Sequence, residues 1–164
     1  MNEAFNRRRG CHFLASCAIV KPGISVGNSL SDQSKIATEE HRLTDREIRP
    51  RRSFIFSPGL RPEMFPKALA SGTDIVCVEL EDGIAPKDKN EARRRTLALF
   101  EKPQANDGIE RIVRINSLRD SFGLADVQAI LATDTPPPAL MLPKVKTPDE
   151  VVWLDELLTC LLYT

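Results

Sequence analysis

Downstream of Pro50, short β-branched or apolar runs alternate with longer stretches whose apolar residues recur at helical spacing. The first run, Ser53-Phe54-Ile55-Phe56, stops at Ser57-Pro58-Gly59. Pro62 then opens a segment with Met64, Ala68 and Leu69 on one face, as suits a residue preorganised for the first helical position, and Ser71-Gly72 closes it. Asp74 to Leu80 form a second run, nearly continuous in apolar character as a strand buried on both faces requires, and Lys87 to Phe100 follow as a charged helix with Ala92, Leu97 and Leu99. Glu110 to Asn116 predict a third strand and Leu124 to Ala132 a third helix. A fourth strand, Ala139 to Val145, precedes a fourth helix, Thr147 to Leu158, opened by Thr147-Pro148-Asp149-Glu150. The pattern is four consecutive βα units.

Such alternation with short connections demands a parallel sheet covered by helices, either a doubly wound open sheet or a closed (β/α)8 barrel. The first βα turn, Ser57 to Pro62, lacks GxGxxG, and no GxxxxGK[ST] occurs anywhere in the chain, which disfavours the dinucleotide and P-loop versions of the open sheet. The expected fold class is therefore α/β, of the TIM (β/α)8 barrel family. A barrel takes about 250 residues, so this chain supplies about the first four βα units. Its first and fourth strands are then expected to have unpaired outer edges.

Residues 1–50 have a different character. From Met1 to Ser31 the basic residues are Arg7, Arg8, Arg9 and Lys21 against the single acid Glu3. That acid-poor, serine-containing composition is that of a transit peptide or of a disordered extension, and residues 32–50 read as a polar linker. The expected division is 1–50 extension and linker, 51–158 half-barrel, 159–164 truncation tail. The expected compartment is the cytoplasm, or the mitochondrial matrix if residues 1–31 direct import.

Composition narrows the partners. With 23 basic and 23 acidic residues among 164, the chain has no global field to draw it to nucleic acid or anionic lipid, and no apolar run approaches the roughly 18 residues that span a bilayer. Neither nucleic acid nor membrane is expected as a partner. The four cysteines, at 11, 17, 77 and 160, form no CxxC pair, and with only His12 and His41 they make no zinc spacing. Cys77, inside Ile75-Val76-Cys77-Val78, reads as a buried inert thiol in a reduced chain.

Chemistry collects at the C-terminal ends of the strands. Strand two ends in Glu79-Leu80-Glu81-Asp82-Gly83, where a period of two puts Glu79 and Glu81 on one face and Asp82 on the other. Such carboxylates can hold a divalent cation through its waters, orient a cationic side chain, act as acid and base, or simply face solvent in a turn. In strand three, Arg114 lies between Val113 and Ile115 with Asn116 on the same face. Its fork can pair with the strand-two acids or grip a substrate carboxylate. Strand four brings Lys144, whose charged form is favoured beside so many acids, so its role is electrostatic rather than Schiff-base formation.

Five segments in order, Arg52-Ser53-Phe54-Ile55-Phe56-Ser57-Pro58-Gly59, Glu79-Leu80-Glu81-Asp82-Gly83 with Lys87, Lys89 and Glu91-Ala92-Arg93, Val113-Arg114-Ile115-Asn116, Phe122-Gly123-Leu124-Ala125-Asp126 and Leu142-Pro143-Lys144-Val145, resemble the citrate lyase β-subunit group of the HpcH/HpaI aldolase superfamily. The resemblance covers residues 51 to about 158. It implies an oligomeric TIM barrel that makes or breaks a carbon–carbon bond with Mg2+, acting on a carboxylated acyl-CoA such as citryl-CoA or malyl-CoA. It places Arg114, with Asn116, at the substrate and Glu81, Asp82 and Lys144 in the catalytic group. The family's direct Mg2+ ligands, a Glu and an Asp, come from strands five and six, beyond Thr164, so no residue here is expected to ligate the metal directly. The chain alone is then expected to be inactive, and a non-catalytic half-barrel fragment for binding or assembly is the rival. The chain departs from the family at Glu79, usually Asp, at Leu60, commonly Asn, and over Cys160 to Thr164, which fits poorly.

Overall fold

A computed structural model describes residues 12–14, 17–20, 51–105 and 107–162. It contains strands β1 (His12–Leu14), β2 (Cys17–Val20), β3 (Phe54–Pro58), β4 (Ile75–Glu79), β5 (Glu110–Arg114) and β6 (Leu140–Leu142). The helices are α1 (Phe65–Leu69), α2 (Lys89–Ala98), α3 (Ser121–Leu131) and α4 (Pro148–Leu162), with 3-10 turns at Pro62–Met64 and Pro86–Asp88 leading into the first two. The order in the single open sheet is β1-β2-β6-β5-β4-β3, with β3 to β6 parallel and β1 and β2 antiparallel.

All four helices cover the same face. Phe65 and Ala68 of α1, Ala92 of α2, Val127 and Ile130 of α3, and Val151, Leu154 and Leu158 of α4 share one buried cluster with Val76, Val78, Val113, Leu140 and Leu142 of the strands. The opposite pleat carries a smaller cluster of Ile75, Cys77, Ile112, Ala139 and Met141, with Phe54 against it. Helices on one face only is the arrangement of a barrel wall, whereas a doubly wound sheet is covered on both. Each fully buried Val, Leu or Ile contributes roughly 1.5–3 kcal/mol, so the helix-side cluster dominates cohesion. The thiol of Cys77 is buried as expected, among apolar neighbours.

The elements differ from the sequence expectation at several places, of which four bear on the site or the sheet edge. Helix α3 starts at Ser121 rather than Leu124, because the Asp120 carboxylate accepts from the Phe122 amide at 3.0 Å and caps the first turn. Strand β6 stops at Leu142, since Pro143 offers no N–H to the ladder and Lys144 takes φ +53°. Helix α4 continues to Leu162, through residues expected to belong to the tail. The outer edge of β6 is not open: β2 pairs with it antiparallel, Ala18 opposite Leu142 and Val20 opposite Leu140. An edge strand offers a row of unsatisfied amides and carbonyls, and β2 satisfies them. The transit-peptide and linker readings otherwise fall outside the described residues. No helix among the described residues is long and apolar enough to cross a membrane.

The ladder continues past the strand ends through single backbone bonds, Gly59 N–H to Glu79 O at 3.0 Å, Leu80 N–H to Arg114 O at 3.0 Å and Ile115 N–H to Met141 O at 3.2 Å. These bonds align the exits of four strands at one rim. Gly59 is required there: a Cβ on it would lie 2.9 Å from the Glu79 carbonyl oxygen.

Candidate functional site at the strand ends

Arg114 is the centre of the rim. Its Nη1 donates to Glu79 at 3.0 Å, its Nη2 pairs with Glu81 and, at 3.3 Å, with Asp82, and its guanidinium carbon lies 5.7 Å from the centroid of the Phe56 ring. Glu79 in turn accepts the Glu81 amide at 2.5 Å. Three carboxylates therefore converge on one guanidinium, where the period-two expectation put Asp82 on the opposite face. The reason is local: β4 ends at Glu79, and the chain turns at Leu80 to Gly83, so strand alternation no longer governs Asp82.

Lys144 closes the cluster from the β6 side, donating to Asp82 at 2.9 Å and forming an ion pair with Glu81 at 2.9 Å. These contacts, with Glu81 first and then Asp82, raise its pKa above the ordinary lysine value. The bond from Lys144 likewise holds Asp82 below the usual carboxylate range, outweighing the opposing effect of burial, with the Arg114 charge acting in the same direction. Both partners stay ionised. A lysine so protonated is a poor amine nucleophile.

Behind the rim lies a second group, of which sequence reasoning assigned only Asn116 to the site. The Lys89 ammonium donates to Leu80 O at 2.7 Å, to Glu81 O, and to Asn116 Oδ1 at 2.6 Å. Asn116 Nδ2 donates to Asp126 at 2.7 Å and its backbone amide does so at 2.8 Å, while Arg93 Nε reaches the other Asp126 oxygen at 2.7 Å. Lys89, Asn116 and Asp126 are all buried. The expected substrate contact Asn116 thus has its side-chain amide engaged by protein on both sides. Burial pulls the Lys89 pKa below the ordinary value, opposed by the carboxylates of Asp126, Glu79, Glu81 and Asp82. A signal was available: Lys89, Ala92 and Thr96 are the buried residues of α2 at spacing i, i+3, i+7, so helical period alone puts Lys89 on the inner stripe. Gly123 of α3 serves the same packing, since a Cβ there would collide with the Ser117 carbonyl.

The rim carboxylates do not fit a directly bound divalent ion. Each is committed to Arg114, and two also to Lys144, and no group of three or more His, Cys, Asp or Glu among the described residues is arranged to hold a metal. Mg2+ asks for near-octahedral oxygen donors. What the rim presents instead is a guanidinium and an ammonium, both aimed by the same carboxylates.

A parallel sheet with helices on one face and charged groups at the carboxyl ends of its strands defines an α/β barrel-wall protein with a polar rim. Residues 52–160 match the family model described as HpcH/HpaI aldolase/citrate lyase, and the chain belongs to that family. It is 28% identical over 149 residues to a mitochondrial citramalyl-CoA lyase of Homo sapiens, covering 91% of this chain and 42% of that protein. It is 38% identical over 117 residues to an L-malyl-CoA/beta-methylmalyl-CoA lyase of Cereibacter sphaeroides, covering 69% of this chain and 36% of the relative. Among solved structures, the citrate lyase beta subunit of M. tuberculosis, complexed with oxaloacetate and magnesium, superposes with a TM-score of 0.50 at 32% identity, over 63% of this chain and 44% of that one. The chain spans about two fifths of the length of these relatives.

Proposed function

We propose that this chain carries the substrate-anion side of a carbon–carbon lyase site that acts on a carboxylated acyl-CoA thioester. The observation that carries the reading is Arg114: a guanidinium on the sheet face opposite the helices, at the strand exits, surrounded by three acids that hold its direction. The lyase names of the human and Cereibacter relatives support the substrate class.

In this reading Arg114 takes the substrate carboxylate in its planar fork, displacing Asp82, the most exposed of its three partners. The carbinol O–H of a 3-hydroxyacyl thioester loses its proton and the C2–C3 bond breaks. Its electron pair becomes the thioester enolate, C3 becomes the carbonyl of the second product, and C2 takes up a proton. Glu81 and Asp82 hold Lys144 protonated and aimed, and the ammonium faces the charge that develops on the enolate oxygen. Asn116 serves from behind, through Lys89 and Asp126. Mg2+ in this reading is held by groups outside the described residues. The active species is an oligomer, in the cytoplasm or the mitochondrial matrix.

Arg114→Lys tests the reading, because it keeps the charge and removes the fork. In the full-length enzyme assayed with citramalyl-CoA or malyl-CoA, kcat/KM is expected to fall roughly 100-fold or more with the thermal midpoint little changed. An unaltered kcat/KM in a folded Arg114→Lys protein removes Arg114 from the substrate.

A further inference from the structure

We propose that Lys89 is a positioning residue of the rim. Its ammonium clamps the carbonyls of Leu80 and Glu81, and thereby sets the direction in which Glu81 meets Arg114 and Lys144. The proposal rests on the reading of that rim as the substrate site.

The geometry has three parts. The chain leaves β4 at Glu79, and among the described residues no ladder bond beyond Leu80 fixes the acidic turn to a neighbouring strand. Two consecutive carbonyls at this exit, those of Leu80 and Glu81, point at one buried ammonium. A peptide carbonyl pair held on one cation fixes the backbone dihedrals between them, and the Glu81 side chain projects from that held segment to Arg114 and Lys144. The ammonium is itself held by Asn116, whose amide is fixed by Asp126, and Asp126 by Arg93 from the next turn of α2. An ammonium has three donors, and these three acceptors account for all of them. Lys89 therefore touches no rim carboxylate directly, and it acts on the site through the backbone of the residue that does.

Lys89→Met keeps the stem and deletes the ammonium. By hydrogen exchange on the whole chain, the amides of Glu81 and Ile84 are expected to exchange at least tenfold faster than in the parent, with those of Val78 and Val113 unchanged. Lys89→Arg, which keeps the charge and donors, should restore part of that protection. Equal acceleration at all four amides, or none, overturns the proposal. If Lys89→Met does not fold, the parent protein decides the matter by 15N NMR at neutral pH. A hydrogen-bonded Lys89 ammonium gives slowly exchanging Hζ signals, and absence of the Lys89 signal refutes the clamp. In lyase assays of the full-length enzyme, kcat should fall tenfold or more with KM changed less than twofold. If the parent enzyme has no such activity, the proposed function fails while exchange and NMR still decide the role of Lys89.

Discussion

Lys89 and Lys144 approach the same acidic turn from opposite sides, and their environments push them in opposite directions. Lys144 is exposed, meets two carboxylates, and has its pKa raised by them. Lys89 is buried, meets two peptide carbonyls and an amide oxygen, and has its pKa lowered by desolvation. The first lysine belongs to a cluster of charges facing solvent, where each ionic partner competes with water. The second belongs to a desolvated network in which every polar atom must keep its partner, because an unpaired buried charge costs several kcal/mol. The contrast separates two demands on the family's motif residues: Arg114, Glu81, Asp82 and Lys144 make the rim, while Lys89, Arg93, Asn116 and Asp126 hold it in place.

Asp126→Ala is the harshest test of the division. It strips the acceptor from Arg93 and from both Asn116 donors in a buried setting, and should cost about 3–5 kcal/mol in urea unfolding. A loss below about 1 kcal/mol, typical of an exposed pair, would show that the network is not desolvated. Asp82→Asn probes the other side. Asp82 is exposed, so stability should change by less than about 1 kcal/mol, while kcat/KM of the full-length enzyme falls roughly tenfold as Lys144 and Arg114 lose a partner. A change in stability without one in activity would move Asp82 into the scaffold.

The smallest effect concerns acid stability and sits at the opposite end of the sheet. Asp74 accepts from the Arg52 side chain and backbone and from Ser53, and these bonds lower its pKa to about 2. Because the folded value lies below the unfolded one of about 3.9, its contribution is complete above that pH and is lost as pH falls toward 2. Asp74→Asn should therefore flatten the acid limb of the stability curve between about pH 4 and 2 and leave activity at neutral pH intact. An unchanged acid limb would mean that the bonds from Arg52 and Ser53 persist in the unfolded chain.

Much of this architecture was legible in the sequence. The apolar runs of β4 and β5 and the caps and prolines at the helix starts define the βα alternation, since period and punctuation are local properties. Arg114, Glu81, Asp82 and Lys144 stand at predicted strand ends, and parallel topology is enough to bring such ends to one rim. Three things needed the tertiary structure. Asp82 joins Arg114 because the chain leaves β4 one residue earlier than alternation assumes, and hydrogen bonding between strands decides where a strand stops. The hairpin of β1 and β2 pairs with β6 across more than a hundred residues of sequence, and no local pattern in residues 12–20 specifies that partner. Lys89 is fixed by the carbonyls of Leu80 and Glu81 and by Asn116, contacts between separate elements: its place on the buried stripe of α2 follows from helical period, but what it meets there depends on the packing of α2 against the exits of β4 and β5.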